Sequence, residues 1–225
     1  TGIEQYAFYD CELLEEISIP GTVTTVGNSA FYRCKNLKNI EIPEGVTKID
    51  GSAFIFCSSL EQIKLPQSLV SIGSGAFDNC TSLISVELPD NAIISSDTFK
   101  ECKNLSDIVI SDTNNNYIVK NGILYNKNMT RILCYPAGIK DTEFSVPDTV
   151  KTIGDFAFYG AKVLESINIP DSVTNIGTDA FGECSGLKEV VIPDSVTSMG
   201  EAVFYKCTSL EKVKLSVNIT SPNPA

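Results

Sequence analysis

Eight cysteines in a chain without a histidine set the first chemical question. Thiolates can form disulfides, hold a soft metal or act as nucleophiles, and each use needs a suitable partner. With no imidazole there is no Ser-His-Asp or Cys-His arrangement and no histidine-bearing zinc site. Spacing decides among the remaining uses. Cys11, Cys34, Cys57, Cys80, Cys102, Cys184 and Cys207 keep a beat of 22 or 23 residues with one long interval, and Cys134 alone is off it. Equivalent places in successive units give parallel Cβ vectors, which do not face one another as a disulfide requires. The reading is a ladder of buried free thiols that pack as small apolar groups, with Cys134 the most accessible. No cofactor and no metal site is expected.

Other residues keep the same beat. Phe8, Phe31, Phe54, Phe77, Phe99, Phe158, Phe181 and Phe204 are separated by 23, 23, 23, 22, 59, 23 and 23 residues, and Ala161 stands where a cysteine is due. A fixed period of this size marks a solenoid whose coils contact only their neighbours. Within a unit, LxxIxIP alternates apolar residues at period two and ends on proline, so it predicts a short strand followed by a turn. AFxxCxxL spaces Phe, Cys and Leu three apart, which predicts a short helix or 3₁₀ turn on the opposite side. Strands entering each coil in one direction make a parallel sheet. Nine are expected, around Ile17, Ile40, Ile63, Val86, Ile108, Phe144, Ile167, Val190 and Val213. One unit cannot bury enough apolar surface to fold alone, so stacking must supply the stability.

The unit AFYRCKNLKNIEIPEGVTKIDGS (30–52) and its counterpart AFGECSGLKEVVIPDSVTSMGEA (180–202) resemble the BspA-like leucine-rich repeat family of the leucine-rich repeat superfamily. The resemblance covers most of the chain. It implies an α/β solenoid: a right-handed horseshoe with a parallel β-sheet on the concave face and short helical or 3₁₀ turns on the convex face. It also implies display at the surface of host-associated bacteria or some protists, and a role in adhesion and protein binding. Ala161 for Cys, Ser111 for Pro, Asp50 and Ser95 for Gly, and one residue fewer between Pro89 and Phe99 depart from the pattern locally.

Three surfaces are candidates for recognition. On the concave face, alternation exposes Glu41, Lys64, Glu87, Val109, Asn168, Val191 and Lys214, beside a second column that includes Asn39, Gln62 and Lys212. Neither column holds an aromatic residue, and Glu41, Lys64 and Glu87 alternate in sign as cross-strand pairs do. The second surface is the interval of 36 residues between the strands at Ile108 and Phe144, where 112–140 carries no AFxxC. Asn121-Gly122 between YIVK and ILYN predicts a β-hairpin insert, extended toward a meander that projects from the solenoid. Its Tyr117, Tyr125, Met129, Arg131 and Tyr135 have two readings: contacts to a partner, or packing of the insert onto the scaffold. Third is the column after each Phe, with Tyr9, Tyr32, Tyr159 and Tyr205, which is either an exposed aromatic strip or a cover over the turns.

Other classes are weak. SDTNNNY offers oxygen ligands without the spacing of a calcium loop and reads as turns. A carboxylate-dependent hydrolase needs two acids at fixed separation in a pocket, and the acidic columns are flat and interrupted. The net charge of -11 opposes nucleic acid and anionic membrane, and no apolar run is long enough for membrane insertion. The chain divides into one solenoid of about nine coils over 1–219, with the insert at 112–140, and a frayed tail or linker at 220–225. Entry in mid-unit and the lack of polar caps predict a piece of a longer array, able to self-associate through its terminal coils. The expectation is a non-catalytic, extracellular or cell-surface module for a protein partner such as a host surface or matrix protein, with a carbohydrate-binding module as the alternative.

Overall fold

The computed structural model describes residues 1–220, so nearly all of the expected 220–225 tail lies outside the described residues. Each unit contributes two short strands where one was expected, because the VTxIG segment also extends and pairs. In chain order they begin β1 (Gly2–Ile3), β2 (Thr25–Val26), β3 (Asn39–Glu41), β4 (Lys48–Ile49), β5 (Gln62–Lys64), β6 (Ser71–Ile72), β7 (Ser85–Leu88), β8 (Ile93–Ile94) and β9 (Asp107–Ile110). The insert holds β10 (Tyr117–Lys120), β11 (Ile123–Asn126) and β12 (Arg131–Cys134). The regular pattern resumes with β13 (Glu143–Ser145), β14 (Thr152–Ile153), β15 (Ser166–Asn168), β16 (Asn175–Ile176), β17 (Glu189–Val191), β18 (Ser198–Met199) and β19 (Lys212–Lys214).

These strands form a parallel-strand β-solenoid of about nine turns. The IxIP strands make two sheets, β3-β5-β7-β9 and β13-β15-β17-β19, and the VTxIG strands make two more, β1-β2-β4-β6-β8 and β10-β11-β12-β14-β16-β18. Register follows the sequence period, with Ile40 opposite Ile63 and Val86 opposite Ile108. The stretch around Ile17 is not a strand, and backbone bonding there is limited to a long Lys38 N–H to Glu15 bond of 3.4 Å.

The turn side departs from expectation, since the AFxxC segments are chains of turns and the described residues contain no helix. In the second coil the amides of Ala30, Tyr32 and Cys34 donate three residues back, to Gly27, Ser29 and Phe31, at 3.2, 3.2 and 3.1 Å. Between them the amides of Ser29, Phe31 and Arg33 donate to Gly51, Ala53 and Ile55 of the next coil, at 3.1, 2.8 and 2.8 Å. Residues four apart, such as Ser29 (φ 52) and Arg33 (φ 59), enter the left-handed region to make this alternation. A helix would turn every amide after its first turn back into its own coil, and so could not alternate bonds within the coil with bonds to the next one. Stacking therefore recruits the turn side as a third hydrogen-bonded ladder, beside the IxIP and VTxIG sheets.

Phenylalanines line up through the interior. Ring centroids from Phe8 through Phe31, Phe54, Phe77 to Phe99 are 5.1, 5.1, 5.4 and 5.9 Å apart and nearly parallel. The file resumes at Tyr135, which lies 23 residues before Phe158 and stacks on it at 5.0 Å, and continues to Phe181 and Phe204. Residues 117–134 are thus built into the stack rather than projecting from it. β10, β11 and β12 pair antiparallel, and β12 then pairs parallel with β14. Strand β11 is buried on both faces: Leu124 joins the core of the first half, Ile123 and Tyr125 the core of the second.

Candidate functional site

The cysteines occupy one interior column. Cys34, Cys57, Cys80, Cys102 and Cys184 are buried and free, and each thiol donates to the carbonyl of the Phe one coil earlier, as Cys57 does to Phe31 at 3.1 Å and Cys80 to Phe54 at 3.2 Å. Burial pushes the Cys34 thiol up to about 12 and the Cys80 and Cys102 thiols well above their ordinary value. Such groups stay protonated and unreactive. Cys207 makes the same bond but is half-buried, and Cys11, in the outermost coil, is exposed. Cys134, expected to be the most accessible, is half-buried against the first core, and its thiol is pushed up to about 12.

The insert tyrosines are buried. Tyr117, Tyr125 and Tyr135 are 6%, 2% and 2% exposed, which corrects their reading as partner contacts. The physical cause is the missing repeat unit: with no AFxxC between Phe99 and Phe158, tyrosine rings fill the interior. Met129 is half-buried against the second core. Arg131 places Nη2 3.4 Å from Asp155, also half-buried. SDTNNNY is likewise engaged within the molecule. Ser111 and Thr113 donate to the carboxylate of Asp90, and the buried Asn114 accepts from the amides of Asn116 and Tyr117 at 3.0 and 2.9 Å. These bonds engage the Ser111, Thr113 and Asn114 oxygens within the molecule. Among the described residues no cluster of His, Cys, Asp and Glu could hold a metal ion.

The strand face carries Glu41, Lys64, Glu87, Val109, Asn168, Val191 and Lys214, all exposed. Some of its charges pair between coils, Lys64 with Glu41 at 2.6 Å and Lys212 with Glu189 at 2.8 Å, and just ahead of the strands Lys188 meets Glu165 at 2.5 Å. The expected single row is broken after Val109, because β9 and β13 belong to different sheets.

A denser cluster lies on the turn side of the first three coils. Tyr9 and Tyr32 stack face to face at 4.7 Å and 3°, Tyr6 meets Tyr9 edge-on at 5.6 Å, and Phe56 meets Tyr32 edge-on at 5.7 Å. Tyr6 is 54% exposed, and Tyr9 and Phe56 are also exposed. Tyr6 and Phe56 both have φ of 61°, a backbone state that bulky residues rarely adopt. Two adjoining depressions of about 520 and 340 Å³ share Tyr32, and the second is also lined by Arg33 and Lys35. Arg33 is 3.3 Å from Asp10 and Lys35 is 2.8 Å from Glu12, so charged groups rim the rings. Sequence reasoning marked Tyr9 and Tyr32 and missed Tyr6 and Phe56, which flank the Phe slots at two residues' distance; aromatics at those left-handed turn positions were the available signal. The other members of the column part company. Tyr159 is buried with the Lys100 ammonium 5.0 Å from its ring, while Tyr205 is exposed.

The family model described as BspA type leucine rich repeat region matches residues 1–130 and 135–224. No curated protein matches the chain. Among solved structures, a leucine-rich repeat protein from Eubacterium ventriosum is 29% identical with a TM-score of 0.80, over 90% of this chain and 60% of that one. A leucine rich cell surface protein from Faecalibacterium prausnitzii is 28% identical with a TM-score of 0.70, over 94% of this chain and 68% of that one. The pneumococcal vaccine antigen PcpA shares the fold alone, at 20% identity and a TM-score of 0.75 over 90% of this chain and 61% of that one. This chain thus spans about three fifths to two thirds of the length of these proteins. Repeat unit, stacked interior and family match agree: the chain belongs to the BspA type leucine-rich repeat family.

Proposed function

We propose that the chain is a non-catalytic protein-binding module of a bacterial cell-surface protein, and that the cluster of Tyr6, Tyr9, Tyr32 and Phe56 is its principal contact. The observation that carries this reading is that cluster's exposure on three rigidly stacked coils, beside Arg33. Tyrosine and arginine are enriched at binding hot spots, and rings already ordered by stacking lose little freedom when a partner docks. Membership in the family and a neighbour described as a cell surface protein support a surface location. Adhesion to a host surface or matrix protein is the role this placement suits. The carbohydrate alternative is less well supported, because Tyr9 and Tyr32 each cover one face of the other while Tyr6 and Phe56 meet them edge-on, so the rings are engaged with one another.

The test is a binding panel of purified host surface and matrix proteins, run beside a glycan array. The comparison is between the native chain and a Tyr9→Ser, Tyr32→Ser, Phe56→Ser variant of matched melting temperature. Binding to at least one protein, weakened tenfold or more in the variant, supports the proposal. Glycan binding without protein binding, or equal protein binding by both chains, overturns it.

A further inference from the structure

The sheet of the strand face stops where the insert enters, and it stops at a usable edge. In a regular coil the interior residues of the IxIP strand direct their amides to the next coil, as Ile42 donates to Lys64 at 3.0 Å and Ile192 donates to Lys214 at 2.8 Å. Register places Ile108 and Ile110 of β9 at the equivalent positions. Their next strand in the stack is β13, yet no ladder joins the two. The last backbone link before they part runs from Gly138 N–H to Leu105 at 2.7 Å. Phe144, a ring where most other coils place Ile or Val, packs on Tyr135 and Phe158 at 5.5 and 5.7 Å and holds β13 to the second core.

Alongside β9 runs an open cleft of about 470 Å³, lined by 107–112, by Tyr117, Ile118 and Val119 of β10, and by Lys127. Its wall therefore offers a row of strand amides and carbonyls next to apolar side chains, including the exposed Val109. Asp107 and Asp112 are exposed at the rim, while the Lys127 ammonium donates to the carbonyl of Asn114. An unpaired edge of this kind is completed by another strand.

We infer that this cleft accepts an extended, basic segment of a partner protein as an added β-strand on the β9 edge. Backbone bonds to Ile108 and Ile110 hold the segment, alternate apolar side chains enter the cleft, and lysine or arginine meets Asp107 and Asp112. The site is separate from the aromatic cluster and stands whether or not that cluster binds anything.

The probe is a short capped peptide alternating lysine and valine, titrated into the full chain and followed by amide hydrogen exchange read by NMR. The expected result is at least tenfold slower exchange at the Ile108 and Ile110 amides, with no change at Tyr9 or Tyr32. Ile110→Pro removes one donor on an edge strand, where proline is tolerated, and is expected to weaken the peptide at least tenfold while the chain stays folded at the assay temperature. Some loss of melting temperature accompanies it, because Ile110 packs on the first core. The Asp107→Asn, Asp112→Asn pair, which leaves the backbone intact, is expected to weaken it and to flatten its salt dependence. No binding at millimolar peptide, or binding that leaves those two amides unaltered, overturns the inference. So does a dimer that Ile110→Pro abolishes, which would make a second copy the occupant.

Discussion

The phenolic oxygen of Tyr117 lies 2.9 Å from the amide nitrogen of Ile94, 23 residues earlier, and accepts its hydrogen bond. A side chain here performs the task that a strand carbonyl performs elsewhere, since the amide of Ile93 beside it donates to the Val70 carbonyl in the ordinary way. The ring itself is buried in the first core, so one residue both satisfies an edge amide of β8 and fills the interior where the repeat fails.

Tyr117→Phe keeps the ring and removes the acceptor. Leaving the Ile94 amide unsatisfied is expected to cost about 1–3 kcal/mol. Denaturant unfolding measures the loss, and hydrogen exchange at Ile94 should accelerate while Phe54 and its neighbours stay protected.

Phe54 sits between Phe31 and Phe77 at 5.1 and 5.4 Å with no exposed surface. Phe54→Ala should cost about 3–5 kcal/mol, because adjacent coils cannot collapse onto the cavity without breaking the hydrogen-bonded ladders that join them. Unfolding followed by exchange is expected to open the first four coils before the coils beyond the insert, since each coil is held only by its neighbours.

Buried thiols make the fold sensitive to base. Their folded pKa values are raised, to about 12 for Cys34, so their contribution is complete below the unfolded value near 8.5 and is lost as pH rises toward the folded value. Each fully buried cysteine should remove about 1.4 kcal/mol of stability per pH unit in that window. A thiol reagent at pH 8 is expected to modify Cys11 first, and all eight cysteines only after denaturation.

Asp78 shows the acid counterpart. Burial pushes its carboxyl up to about 6, while Lys100 and a bond from Asn79 pull the other way. A raised carboxylate favours the fold below pH 4 and loses that advantage as pH rises through 6. Asp78→Asn should therefore stabilise the chain at pH 7 by about 1–2 kcal/mol, after discounting for its partial exposure, and leave stability at pH 4 unchanged. Thermal melts at the two pH values check the sign.

The repeat and its buried file were legible because period is a property of the chain itself: Phe, Cys and Pro recur in phase, and only stacking gives them equivalent surroundings. The strand face was legible for the same reason, since alternation at period two places Glu41 and Lys64 outward whatever lies beside them. The turn side was misread as helical, because a spacing of three fits a helix and a chain of turns equally. The choice between them rests on amides such as Phe31, which bond to the next coil and not within their own.

What the sequence by itself determined was the coil, its length and the side chains facing inward, all of which follow from local pattern and the need to bury them. Only the tertiary structure decided what happens where the pattern lapses. Tyr117, Tyr125 and Tyr135 could have pointed to solvent; they turn inward because the interior left by the missing unit must be filled. Tyr6 and Phe56 stand at turn positions that are polar in most other coils, and they join Tyr9 and Tyr32 because left-handed turns on the first and third coils bring them to one patch. The gap between β9 and β13 likewise exists only in three dimensions, as the difference between where two cores hold consecutive strands.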